Sequence, residues 1–115
     1  MRNKELTWDQ VVDVHRSWNG ISTEGGMARS LLCNQHKDGQ YGDCFREDGL
    51  TYFVGTTTQA TEVRALIRAV EAGKAVRVFE KLGVNRWVDH GNWRGVSIGS
   101  PDAAGVRAFV FRKVS

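Results

Sequence analysis

The chain has 115 residues, 41% of them hydrophobic and 25% charged, with a net charge of +3. That size and balance suit a single soluble domain spanning residues 1–115, with a core that needs no staples. No segment reaches the ~18–20 apolar residues of a membrane span, and MRNKELTWDQ lacks the apolar run of a signal peptide. A cytoplasmic protein with no membrane partner is therefore expected, and the mild basicity permits a nucleic-acid partner without requiring one.

The first element reads as a helix from about Thr7 to Trp18. Thr7 and Gln10 have the spacing of a capping box, and Trp8, Val11, Val12 and Val14 supply apolar positions. Asn19-Gly20 is its expected stop. Ser22 to Gly26 is turn-rich, and Ala28 to Asn34 reads as a short buried strand. A second strand, Leu50 to Gly55, is entered by the turn Glu47-Asp48-Gly49. The clearest helix is Gln59 to Ala72, where Val63, Leu66, Ile67 and Val70 repeat at i, i+3, i+4, i+7 and Gly73 gives the stop. Three strand-like runs follow, Ala75 to Glu80, Arg86 to His90 and Trp93 to Ile98, the last two joined by a hairpin turn at Gly91-Asn92. After a turn at Pro101-Asp102, Val106 to Val114 alternates in character and closes the chain as a strand. The expected fold is α+β: a small, strongly curved sheet or barrel carrying two helices. Trp8 and Trp18 are assigned to packing between helix and barrel, Trp87 and Trp93 to the core or rim.

Motifs of common catalytic sites are absent: no Walker A loop, no G-x-G-x-x-G, no G-x-S-x-G, no H-E-x-x-H. Cys33, His36 and Cys44 have the makings of three zinc ligands but lack a fourth, and Cys44 as a nucleophile would need His36 as its base. The plain reading is a buried thiol and a loop histidine. The two cysteines stand eleven positions apart, near enough to bridge across a hairpin, although free thiols are the cytosolic default. Asp38 and Asp48 each precede a glycine and read as turn residues. Asp43, two residues after Tyr41, does not fit that pattern.

Four stretches in order resemble the SRA (SET- and RING-associated, or YDG) domains. They are VHRSWNGISTEGGMARSLLC (Val14–Cys33), GQYGDCFREDGLTYFVGT (Gly39–Thr56), VRALIRAVEAGKAVRVFEK (Val63–Lys81) and RWVDHGNWRGVSIGSPDAAGVRAFVFRKV (Arg86–Val114). The resemblance implies a PUA-like barrel that reads modified cytosine in double-stranded DNA by flipping the base into a pocket, without a cofactor or metal. Tyr41 and Phe53 fall where the family places the two rings that sandwich the base. Asp43 and Cys44 fall at its acidic pair, and Gly55 and Thr56 at the pocket wall. Cys44 stands in place of an acid, Phe53 in place of a tyrosine, and Thr56–Ala60 is shorter than the loop that enters DNA in many relatives. Arg16, Arg29, Lys37, Arg46, Arg86 and Arg94, in or beside predicted loops, are candidates for DNA-backbone contacts. The implied role is a non-catalytic reader of 5-methyl- or 5-hydroxymethylcytosine in modification-dependent restriction, with any nuclease in a partner or fused domain. An RNA or modified-nucleoside binder on the same scaffold, an enzyme using Asp43, Cys44 or His36, and a plain interaction module stay open beside it. Oligomeric state is not legible.

Overall fold

The computed structural model describes residues 5–34, 43–46, 49–56 and 58–114, with Cys44 described in its backbone alone. In chain order the elements are β1 (Glu5–Leu6), α1 (Trp8–His15), β2 (Ile21–Glu24), β3 (Met27–Cys33), β4 (Cys44–Arg46), β5 (Gly49–Val54), α2 (Ala60–Glu71), β6 (Ala75–Gly83), β7 (Arg86–Ile98) and β8 (Arg107–Lys113).

The strands form one mixed sheet in the order β2-β3-β6-β7-β8-β5-β4, with β1 on β7. The β3–β6 pair is parallel and every other pair antiparallel. The sheet is open, ending at β2 and β4, yet it curls strongly. β4 lies three strands from β7, about 14 Å on a flat sheet, but the Phe45 and His90 rings stack with centroids 4.2 Å apart. The barrel expectation thus resolves into a curled sheet that does not close.

The inside of the curl carries the main core: Leu31, Leu50, Val76, Val78, Trp93, Phe109 and Phe111, with Leu66 and Ala69 of α2. Gly95 admits the helix closely, since a Cβ there would lie 2.4 Å from a Val70 methyl. On the outer face, Val11 of α1 packs on Phe79 and Trp87, flanked by Leu6, Trp8 and Leu32. Leu31 and Leu32 sit in different clusters because successive strand residues face opposite sides, so the two helices cover opposite faces.

Local chemistry explains the boundaries. Both halves of the Thr7–Gln10 capping box form. α1 stops at His15, three residues short of the expectation, because Arg16 takes the left-handed conformation (φ 55°) and donates its N–H to the Val12 carbonyl. α2 matches its apolar stripe, and Gly73 ends it at φ 67°. The turn-rich Ser22–Gly26 is instead most of β2 plus a tight Gly25-Gly26 turn, both glycines at positive φ. The hairpin expected at Gly91-Asn92 does not exist. β7 runs straight through it, and Gly91, at φ 80°, belongs to an irregularity where the β6–β7 register shifts. The real β6–β7 turn is at Val84-Asn85, with Asn85 at φ 55°.

Candidate functional site

Four parts of the chain meet around a cleft of about 890 Å³ on the α1 side of the sheet. Trp8 and Trp18 form one wall with Trp87. Trp8 lies 5.2 Å from Trp87 and 5.6 Å from Trp18 between ring centroids, both pairs tilted. Across from them the end of β5 contributes Phe53 and Gly55, and the end of β3 contributes Cys33 and Asn34. Lys81, Val84 and Asn85 bring the β6–β7 hairpin to the rim. Gly55 leaves its part of the wall open, since a Cβ there would meet nothing within 4 Å.

Trp18 is 80% exposed and Val84, at the hairpin tip, is 90% exposed. The packing role expected for Trp18 is therefore not what the fold gives it. Exposed as it is, Trp18 stands on a rim that is held firmly. The His15 ring bonds the Asn19 carbonyl at 2.6 Å, and the Asn19 amide donates to Glu62 at 2.9 Å. The Gly20 carbonyl accepts from Leu32 N–H at 2.7 Å and from the Tyr52 hydroxyl at 3.4 Å. The hairpin side is tied as well: the Asn85 side chain accepts the first N–H of α1, from Trp8, at 2.7 Å. Trp87 and Trp93 are buried as expected, and Trp87 also lines the cleft.

His15 is fully buried. A carbonyl can only accept, so Nε2 carries the proton toward Asn19, and Nδ1 accepts from the Ser30 hydroxyl at 2.6 Å. Burial lowers its pKa and the nearby Arg29 adds to this, against the Asn19 bond, which favours the charged form. Below pH ~6.5 the unfolded chain takes up a proton that the folded one refuses. This contribution to stability is complete above pH ~6.5 and declines as pH falls toward the folded pKa. Thermal melts should therefore show a loss on acidification that is smaller in His15→Gln than in the native chain; equal pH slopes would remove His15 as the cause.

Asp43 is 1% exposed. Its Oδ2 accepts from Asn34 N–H and its Oδ1 from Phe53 N–H, each at 3.0 Å, and its own N–H donates to the Asn34 carbonyl at 3.3 Å. The side chain therefore clamps the ends of β3 and β5 together under the cleft. Tyr52, buried beneath, has its phenol pKa pushed well above 10 by burial first and then by Cys33, Asp43 and Glu62.

Of the other expected pocket residues, Phe53 and Gly55 line the cleft, whereas Thr56 is exposed and lies toward Gly105. Tyr41 lies outside the described residues, and so do Lys37 and His36. Cys33 is buried and in no disulfide, so the bridge that spacing allowed is not formed. The cationic candidates divide. Arg29 is used inside the fold: it donates to the Ser22 hydroxyl at 3.2 Å, to the Val14 carbonyl and to Glu24 at 3.4 Å, locking the β2–β3 hairpin to α1. Arg86 forks onto Glu5 at 2.9 and 3.1 Å across β7 and β1. Arg16, Arg46 and Arg94 are exposed.

No family model matches the chain, and no curated protein does. Solved structures do. An SUVH5 SRA domain in complex with hemi-methylated CG DNA superposes with a TM-score of 0.78 at 21% identity, over 97% of this chain and 86% of that one. The chain has the SRA fold. SUVH5 SRA bound to fully hydroxymethylated CG DNA gives a TM-score of 0.67 at 21% identity, over 91% and 81% of the two chains. The modification-dependent TagI restriction endonuclease gives 0.73 at 17% identity. That match covers 99% of this chain and 50% of TagI, so the SRA fold seen here spans half of the longer enzyme. The α+β, PUA-like architecture expected from sequence is thereby established, with the sheet open.

Proposed function

We propose that this domain is a non-catalytic reader of modified cytosine in double-stranded DNA, holding the flipped base in the tryptophan- and Phe53-lined cleft. The observation that carries the reading is the cleft itself. It is large enough for a base, walled by aromatic faces, and its rim and floor are pinned by hydrogen bonds that reach into both helices. Extruding a base costs a few kcal/mol of stacking and pairing, and aromatic stacking returns ~1–3 kcal/mol per base. Exposing Trp18 on a fixed rim is unfavourable in the free protein and becomes favourable when a base or a neighbouring step of the duplex covers it. The SRA neighbours solved with methylated and hydroxymethylated DNA support the same reading. The likeness to half of TagI supports a place in modification-dependent restriction, with the nuclease in a partner or a further domain.

Tyr41 remains the proposed second ring over the base. Asp43 takes a changed role in this proposal. Its side-chain oxygens already accept two backbone N–H groups, so it shapes the pocket by fixing Asn34 and Phe53.

The test is competition binding at fixed salt, using one short duplex carrying cytosine, 5-methylcytosine or 5-hydroxymethylcytosine, with single-stranded and RNA versions. Preference for a modified duplex is the expected result. Equal binding to all duplexes, or preference for RNA, would overturn it.

A further inference from the structure

We propose that Arg46, Arg112 and Arg94 form a phosphate-binding row on the outer face of the sheet, which carries the backbone of the duplex flanking the cleft. The inference rests on the reading above for its partner and on strand register for its geometry. Arg46 pairs with Gly49, Gly49 with Arg112, and Arg112 with Arg94, so one lateral line crosses β4, β5, β8 and β7. Directly paired residues project from the same face. That face is the outer one, because the neighbouring pairs Leu50–Phe111 and Val76–Trp93 point into the core.

All three arginines are exposed, and none has an ion-pair or hydrogen-bond partner among the described residues. The acid that shares their face on β7, Asp89, is already taken. Arg77 forks onto it, with Nε at 2.9 and 3.0 Å from the two oxygens, and Gly91 N–H donates to it at 2.8 Å. Burial would raise the Asp89 pKa, but these bonds and the charges of Arg77 and His90 outweigh it and hold the carboxylate ionised. Glu80 bonds His90 at 2.7 Å from the opposite, inner face. Like charges directly opposite on a sheet are destabilising, and Arg94 and Arg112 are such a pair. Among the described residues nothing neutralises these three guanidinium groups, which stand in line as the complement of a polyanion.

The row also lies in register with the cleft. Phe53 shares the face of Gly49 and stands four residues further along β5, about 13 Å away. That is about four nucleotide steps at ~3.4 Å each. The outer-face positions between them, Thr51 with Val110 and Phe53 with Ala108, carry no charge, so the surface from cleft to row is low and neutral.

The experiment measures affinity against salt concentration for a modified and an unmodified duplex, with the native chain, Arg94→Gln, Arg112→Gln, the double variant, and Arg64→Gln as an exposed α2 control. Each row substitution should lower the slope of log K against log salt by about 0.9, weaken both duplexes by the same factor, and leave their ratio unchanged. Arg64→Gln should change neither. Arg112→Gln should also melt no lower than the native chain, because it removes a like-charge pair. Row variants that match the native slope, or a control that lowers it equally, would overturn the row. A native chain that prefers no modification while the row variants still flatten the slope would overturn the reader and leave the row as a duplex contact. A native chain that binds no duplex would overturn both.

Discussion

Replacing Asp43 by alanine should cost about 2–5 kcal/mol of stability, a large share of the ~5–15 kcal/mol available to a domain. The side chain is buried, and its two oxygens satisfy the N–H groups of Asn34 and Phe53. Removing it takes the acceptor away from two part-buried donors, each worth ~1–3 kcal/mol. Urea unfolding of Asp43→Ala and Asp43→Asn gives the comparison. The asparagine keeps an acceptor oxygen for one of the two donors and should fall between alanine and the native residue. A loss under ~1 kcal/mol in Asp43→Ala would mean that the clamp carries no weight. The result also governs the reading of any DNA-binding defect. A defect in Asp43→Ala reports the shape of the pocket, whereas a loss of cytosine preference in a folded Asp43→Asn would report contact with the base edge.

What the sequence shows and what it conceals divide along the range of the interactions. α2 is legible because its stripe repeats within one helix, and α1 begins where the Thr7–Gln10 pair says it does. Gly91-Asn92 misleads because a left-handed glycine serves an irregular strand as well as a hairpin. Only the pairing partner, β6 running alongside without a break, decides between them. The same holds for the site. Phe53 and Gly55 are found through family resemblance, since the strand pattern around them says nothing of a cleft. Trp18 looks like one more helix residue until Arg16 ends the helix early and the links from His15 and Asn19 hold the rim out to solvent. The clamp made by Asp43 is hidden because the N–H groups it accepts from, at Asn34 and Phe53, are nine and ten residues away along the chain. Arg112 attracts no notice in the run FRK that ends β8, and it joins Arg46 and Arg94 only through the register of four strands.

Phe53→Ala should weaken binding of a modified duplex by about 5- to 150-fold, the equivalent of ~1–3 kcal/mol for one lost base stack. Binding of plain duplex should stay close to native, and the salt slope should not move, because no phosphate contact is removed. The fold should tolerate the change. Phe53 is half-buried and faces the cleft, while its neighbours on β5, Leu50, Tyr52 and Val54, are the side chains that enter the core. The backbone N–H of residue 53 survives the substitution, so the Asp43 clamp stays closed. Phe53→Tyr, which keeps the ring, should retain the preference. This pattern is the mirror image of the arginine row, where the slope changes and the ratio does not. Measured together, the two sets of variants separate a base held in the cleft from a backbone held on the sheet. If Phe53→Ala instead weakened modified and plain duplexes alike, the ring would be part of a general DNA surface, and the cleft would lose its claim to the flipped base.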